Sequence, residues 1–174
     1  MGGVLPFTMV KIQETSERST EDLSLLSMVI IALIYTVGSF LTRGANMQKY
    51  SYRRNPRRRT VELFGGLLVL RQQSVPSSHG RLLCSGFWGM SRHINYFGES
   101  LQAVALALPA WLHFQSKDDS RALSYVSWLY PLYYVALFIP RQLDDEELMR
   151  QKYGATVMDE YCQLVPYRMV PGLY

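Results

Sequence analysis

The chain has 174 residues, 48% of them apolar, with a formal net charge of +4 and two cysteines. That length suits one domain of ordinary size, and Cys84 and Cys162 exclude both a disulfide framework and a Cys/His metal-ligand spacing. A mean hydropathy near zero hides strong segregation along the chain.

Residues 1–22 form a polar segment that mixes Lys11 and Arg18 with Glu14, Glu17, Glu21 and Asp22. The stretch "SLLSMVIIALIYTVGSFLT" (24–42) then carries no charge. It is long enough to cross a bilayer as a helix, and a soluble core helix would show a polar stripe that this run lacks. A cleaved signal peptide fits poorly, because the run starts late and no small-residue cleavage pattern follows it. We place a transmembrane helix at 23–42.

Arg43, Lys49, Arg53, Arg54, Arg57, Arg58 and Arg59 follow with no acid among them. The positive-inside rule therefore puts the segment 43–99 in the cytosol. Such a run is either a solvated topogenic and headgroup signal or a grip on phosphate oxygens. Lys49 and Arg53, spaced i, i+4, share a helix face, and Asn55-Pro56 should end that helix.

In "GFWGMSRHINYFGES" (86–100), Gly86 and Gly89 flank Phe87 and Trp88. Trp88 suits an interfacial belt or a site wall equally well. Asn95 and Tyr96 enter the next helix, where polar groups near membrane depth point to function. His93 and Glu99 read as structural.

The apolar stretch 100–115 is shorter and holds Pro109 and His113, so it spans only if tilted or extended over Asn95–Gly98. A turn at 116–121 and the charge-free 122–139 complete a transmembrane hairpin (100–139), returning the tail 140–174 to the cytosol. The hairpin thereby brings 81–99 near 141–168. In "RQLDDEELMRQKYG" (141–154) the acids suit a solvated helix start. Asp145 lies i+4 from Arg141, and a paired, partly desolvated carboxylate is equally suited to hold or orient a proton. No G-x-G-x-x-G occurs, so a bound nucleotide would sit outside a Rossmann fold. The fold class expected is all-α: an integral membrane bundle of about three helices with cytosolic loops and tail.

Four blocks in order, "GANMQKYSYRRNP", "LLCSGFWGMSRHINYFGE", "DDEELMRQKYG" and "EYCQLVPYRMVPGLY", resemble the C-terminal part of the membrane sterol reductases. That family includes Δ14-, Δ7- and Δ24(24¹)-sterol reductases and the sterol-reductase domain of the lamin B receptor. The resemblance implies an endoplasmic reticulum membrane protein that reduces a sterol C=C bond with NADPH, the Δ14 bond being the closest fit. It implies that Lys49 and Arg53 hold cofactor phosphates and that Leu83, Trp88, Asn95 and Tyr96 form a cofactor wall. In the tail it implies cofactor contacts at Asp145, at Met149, Arg150, Gln151, Lys152 and Tyr153, and at Tyr161. Asp145 is also the implied proton donor. The expected partners are a sterol and membrane lipid, with no nucleic acid and no metal. The chain departs from the family pattern at Pro140 and Asp144, and it carries fewer membrane helices than family members. That shortness implies a partial version, or a half working with a partner chain.

Two other readings stand beside this one. "RHINYFG" with "RQLDDEE" also satisfies the loose pattern of isoprenylcysteine-type carboxyl methyltransferases, which bind S-adenosylmethionine. An inactive sterol-reductase-like membrane protein is the non-enzymatic alternative. The basic block 49–59 and "VPYRMVPGLY" favour the reductases.

Overall fold

The computed structural model describes residues 23–115 and 121–174. The polar segment 1–22 and most of the expected turn at 116–121 fall outside them.

Helix α1 (Leu25–Arg54) starts where the Ser24 hydroxyl accepts the Ser27 amide at 3.2 Å. It ends at Asn55, because Pro56 disfavours helical backbone in the residue before it. The expected membrane helix stopped at residue 42, where charge begins, but the backbone helix does not stop there. Thirty residues make about 45 Å, well beyond a hydrocarbon core of about 30 Å. The last turns therefore carry Lys49 and Arg53 clear of the apolar segment. Only the second half of α1 is buried, along Gly38, Leu41, Ala45, Gln48 and Tyr52, the stripe a single helix face produces.

The all-α expectation needs correction between residues 60 and 83. There the chain folds as β1 (Thr60–Leu63) paired antiparallel with β2 (Leu68–Arg71), then β3 (Ser74–Ser77) with β4 (Gly80–Leu83). The registers set Val61 against Leu70 and Val75 against Leu82. Short β-favouring runs between Gly- and Pro-containing breaks are the physical cause, and only β1 alternates cleanly. Val61 and Leu63 point inward and their neighbours outward.

A short helix α2 (Phe87–Met90) leads into α3 (Ile94–Gln115), then α4 (Arg121–Val126), α5 (Leu129–Tyr153) and α6 (Ala155–Leu164). Among the described residues, two stretches are long and apolar enough to cross a membrane, Leu25–Arg54 and Ala122–Tyr153. The helix that carries the third expected span begins at Ile94, and its polar residues keep it short of the same apolarity.

Helices α1 and α3 meet through glycine. A Cβ on Gly98 would stand 2.7 Å from the Gly38 carbonyl oxygen, and one on Gly38 would stand 2.6 Å from the Gly98 oxygen. Small residues allow such approach, and polar side chains then bridge the helices. Ser39 Oγ donates to Gln102 Oε1 at 3.2 Å, and Gln102 Nε2 donates to Thr42 Oγ1 at 3.2 Å. Gly98→Ala is expected to cost about 1–3 kcal/mol through overpacking. Denaturant unfolding in detergent checks this, and an unchanged midpoint would contradict the close crossing.

Two small cores flank the hairpins. Leu41, Ala45, Val61, Leu63, Phe87, Trp88 and Ile94 form one, and Val75, Leu82, Met158, Tyr161 and Val165 form the other. The C-terminal residues fold back over the start of α3. Arg92 N–H donates to the Tyr167 carbonyl at 3.0 Å and His93 N–H to that of Arg168 at 2.7 Å. Ser91 Oγ donates to the Met169 carbonyl at 2.9 Å. These contacts satisfy amides that a helix start leaves without internal partners.

Candidate functional site

The turn before α2 is fixed by a buried glutamine on α1. Gln48 Nε2 donates to the Ser85 carbonyl at 3.0 Å, while its Oε1 accepts the Phe87 amide at 3.0 Å. Between them Gly86 has φ +63°, and a Cβ there would lie 2.6 Å from the Gln48 amide. Glycine is therefore required by both conformation and space. Trp88 Nε1 then donates to the Ala45 carbonyl at 2.8 Å, which fixes the indole plane against α1. Lys49 Nζ stands 4.3 Å from that ring's centroid, a cation–π geometry. Burial, and then the neighbouring Arg53 charge, lower the Lys49 pKa.

On α5 the spacing of Arg141, Asp145, Leu148, Met149, Lys152 and Tyr153 puts one helix face toward Trp88 and Tyr96. Tyr96 Oη donates to Asp145 Oδ2 at 2.6 Å. Arg141 Nε lies 3.4 Å from Asp145 Oδ1. The Tyr96 ring is stacked between His93 and Phe138, with centroids 5.3 and 4.4 Å away. Burial first, and then the bond to Asp145, push the Tyr96 pKa up, so the phenol keeps its proton well above neutrality.

These parts enclose a pocket of about 460 Å³, within the range of about 300–1,000 Å³ usual for small-ligand sites. Eleven of the thirteen residues singled out from sequence line it: Lys49, Arg53, Leu83, Trp88, Asn95, Tyr96, Asp145, Met149, Lys152, Tyr153 and Tyr161. Arg150 and Gln151 do not. The helix period carries them off the pocket face, where Arg150 pairs with Asp159 at 2.9 Å and Gln151 donates to Glu147 at 3.0 Å. Pro140 and Asp144, where the chain departs from the family pattern, are exposed and outside the pocket.

Sequence reading missed Tyr52, Arg81, Leu82, Arg92, His93, Arg141 and Leu148 as lining residues. Tyr52 had a signal, since it lies three residues from Lys49 on the same helix face. Arg81 had one only if β4 was recognised, because it sits two residues before Leu83 in that strand. Six cations line the pocket against the single carboxylate of Asp145. Within the pocket wall the buried Tyr52 Oη and His93 Nε2 have no hydrogen-bond partner among the described residues.

Behind the wall lies a second charged cluster. Arg92 Nε donates to Glu146 Oε1 at 2.7 Å, and its Nη1 donates to the Val165 and Pro166 carbonyls at 2.7 and 2.9 Å. Arg168 Nε reaches Glu146 Oε2 at 3.2 Å, whereas His93 Nε2 stays 3.7 Å from Oε1, beyond hydrogen-bond length. Burial pushes the Glu146 carboxyl upward, but the His93 and Arg92 contacts and the Arg92 and Arg168 charges outweigh it. The result is a pKa of about 2. The cluster pins the C-terminal residues to α3 and α5 beside the pocket.

Comparison with known proteins adds a family and relatives. A family model described as the ergosterol biosynthesis ERG4/ERG24 family matches residues 4–174. The chain is 37% identical over 171 residues to the Delta(14)-sterol reductase TM7SF2 of Mus musculus, covering 98% of this chain and 36% of that protein. It is 32% identical over 172 residues to the Delta(14)-sterol reductase ERG24 of Saccharomyces cerevisiae, covering 98% of this chain and 34% of that one. The Delta(14)-sterol reductase of Arabidopsis thaliana is 32% identical over 153 residues, covering 88% of this chain and 36% of that protein. The chain thus spans about a third of the length of these relatives.

Proposed function

The chain belongs to the ergosterol biosynthesis ERG4/ERG24 family, and we propose from it that the pocket serves NADPH-dependent reduction of a sterol C=C bond. The Δ14 bond is the one named for the relatives. The setting proposed is the endoplasmic reticulum membrane, with the pocket on the cytosolic side, against the C-terminal turns of α1 and α5. One observation carries the reading: α1, β4, α2–α3, α5 and α6, far apart in sequence, converge on one cation-rich pocket.

The donor set fits a dinucleotide phosphate. Lys49, Arg53, Arg81 and Lys152 offer charge to phosphate oxygens. Trp88 offers a flat face, and Tyr52 and His93 offer polar atoms. When bound, NADPH supplies a hydride; the protein must supply a proton and hold both reactants in place. Tyr96 is the group that holds a proton at the pocket, through its 2.6 Å bond to Asp145. Arg141 on the other carboxylate oxygen keeps Asp145 turned toward Tyr96. Tyr96 and Asp145 are thus read as one proton-holding pair, in which the phenol bears the proton of the hydrogen bond and Asp145 stays the proton donor that the family resemblance implies.

The methyltransferase alternative is not favoured, because the family is that of sterol reductases. Arg92 of its "RH-x-x-Y-x-G" pattern, moreover, is occupied by Glu146 and two tail carbonyls. Arg53→Ala is expected to weaken NADPH binding by about tenfold or more, and NADH binding much less, since loss of a charge-assisted phosphate contact costs about 1.5–3 kcal/mol. Titration of both dinucleotides checks this. Equal losses would remove Arg53 from contact with the 2′-phosphate.

A further inference from the structure

The β1–β2 hairpin has two unlike ends. Its root follows the arginines at 53, 54, 57, 58 and 59, whereas residues 63–70, "LFGGLLVL", hold no charge. The hairpin folds back along α1, so that the Phe64 ring stacks on Phe40 with centroids 5.2 Å apart and planes 17° apart. Phe40 lies fourteen residues before Arg54, or about 21 Å back along the helix. It also lies inside the charge-free run that ends just before Arg43. The tip therefore stands level with the last apolar turn of α1 and well below its basic end.

What the tip presents there is apolar and unsatisfied. Leu67 is 91% exposed and Val69 59% exposed. Gly65 and Gly66, at φ +68° and +94°, make the turn without adding side chains, so Leu67 stands out alone. Beside the tip, Val37 and Phe40 leave the same side of α1 open. An exposed apolar projection continuous with the face of a spanning helix belongs in the headgroup–acyl boundary rather than in water.

We propose that the β1–β2 tip dips into the bilayer interface through Leu67, with Val69 and the exposed Glu62 directly across the ladder from it at the water side, and that this contact props the pocket-bearing hairpins against the membrane. The proposal rests on the reading of α1 as a membrane span. The lever is direct, because β1 packs through Val61 and Leu63 into the core that also holds Leu83 and Trp88, two of the pocket's walls.

The test uses single nitroxide labels at Leu67→Cys, Val29→Cys and Arg57→Cys in lipid nanodiscs, with Cys84 and Cys162 replaced by Ala. Collision with oxygen, which partitions into lipid, is compared with collision with a nickel chelate, which stays in water. Oxygen should dominate at Leu67 as it does at Val29 in mid-span, and nickel should dominate at Arg57. Nickel dominance at Leu67 with oxygen dominance at Val29 would overturn the tip contact and leave the span intact. Nickel dominance at both would overturn the span on which the contact rests. Low access to either reagent at Leu67 would mean that protein covers the tip, which also overturns the proposal.

Discussion

Tyr96→Phe is expected to lower sterol turnover by about 10²–10⁴-fold, the usual contribution of a positioned general acid, with little change in NADPH affinity. Phenylalanine keeps the ring stacked between His93 and Phe138 and removes only the hydroxyl that Asp145 accepts. The loss should therefore fall on the rate and not on the fold. Asp145→Asn keeps the shape but loses the carboxylate that engages both Tyr96 and Arg141, so a loss of similar order is expected. The two losses should not add, since the groups act as one unit. The assay places this chain in the yeast relative, in place of its matching C-terminal part, and follows product formation with a sterol substrate. Full turnover in Tyr96→Phe would remove the phenol from the chemistry. Full turnover in Asp145→Asn would remove the carboxylate.

Arg92→Ala is expected to cost about 3–5 kcal/mol of stability, the range for breaking a buried ion pair and leaving one charge behind. Arg92 is 7% exposed and ties Glu146 to the backbone at Val165 and Pro166. Its removal should loosen the C-terminal residues, which then keep the contacts of the Ser91 hydroxyl and of the backbone amides at 92 and 93 to the tail carbonyls, and chemical unfolding in detergent reads the loss. The same cluster sets an acid limit. Glu146 titrates near 2 in the folded protein against an ordinary 4.5, so its contribution is present in full above about pH 4.5. It is lost as pH falls from there toward 2. Glu146→Gln should flatten that part of the stability profile. An unchanged acid slope would contradict the assignment.

The helices were legible because charge-free runs and a late basic block are strong local signals. Their ends were less so: α1 runs on past residue 42 because charge ends an apolar segment without ending a helix. The strands at 60–83 were missed because four-residue strands bounded by arginines and serines carry little periodicity. Arg81 was lost with them. In the tail, a block of residues carried over whole included Arg150 and Gln151, which the 3.6-residue period turns away from the pocket. The Arg92–Glu146 pair had no signal at all, since a buried contact between residues 54 positions apart leaves no local pattern. Tyr96 and Asp145 were each legible from sequence. Only the fold showed that they touch.

One pocket, assembled from distant segments, is proposed to hold NADPH. Titration of the purified chain with NADPH and, separately, with S-adenosylmethionine decides this. Saturable NADPH binding that falls at least tenfold in a Lys49→Ala/Arg53→Ala variant, without S-adenosylmethionine binding, is the predicted result. Saturable binding of S-adenosylmethionine instead, or NADPH binding indifferent to Lys49 and Arg53, would contradict it.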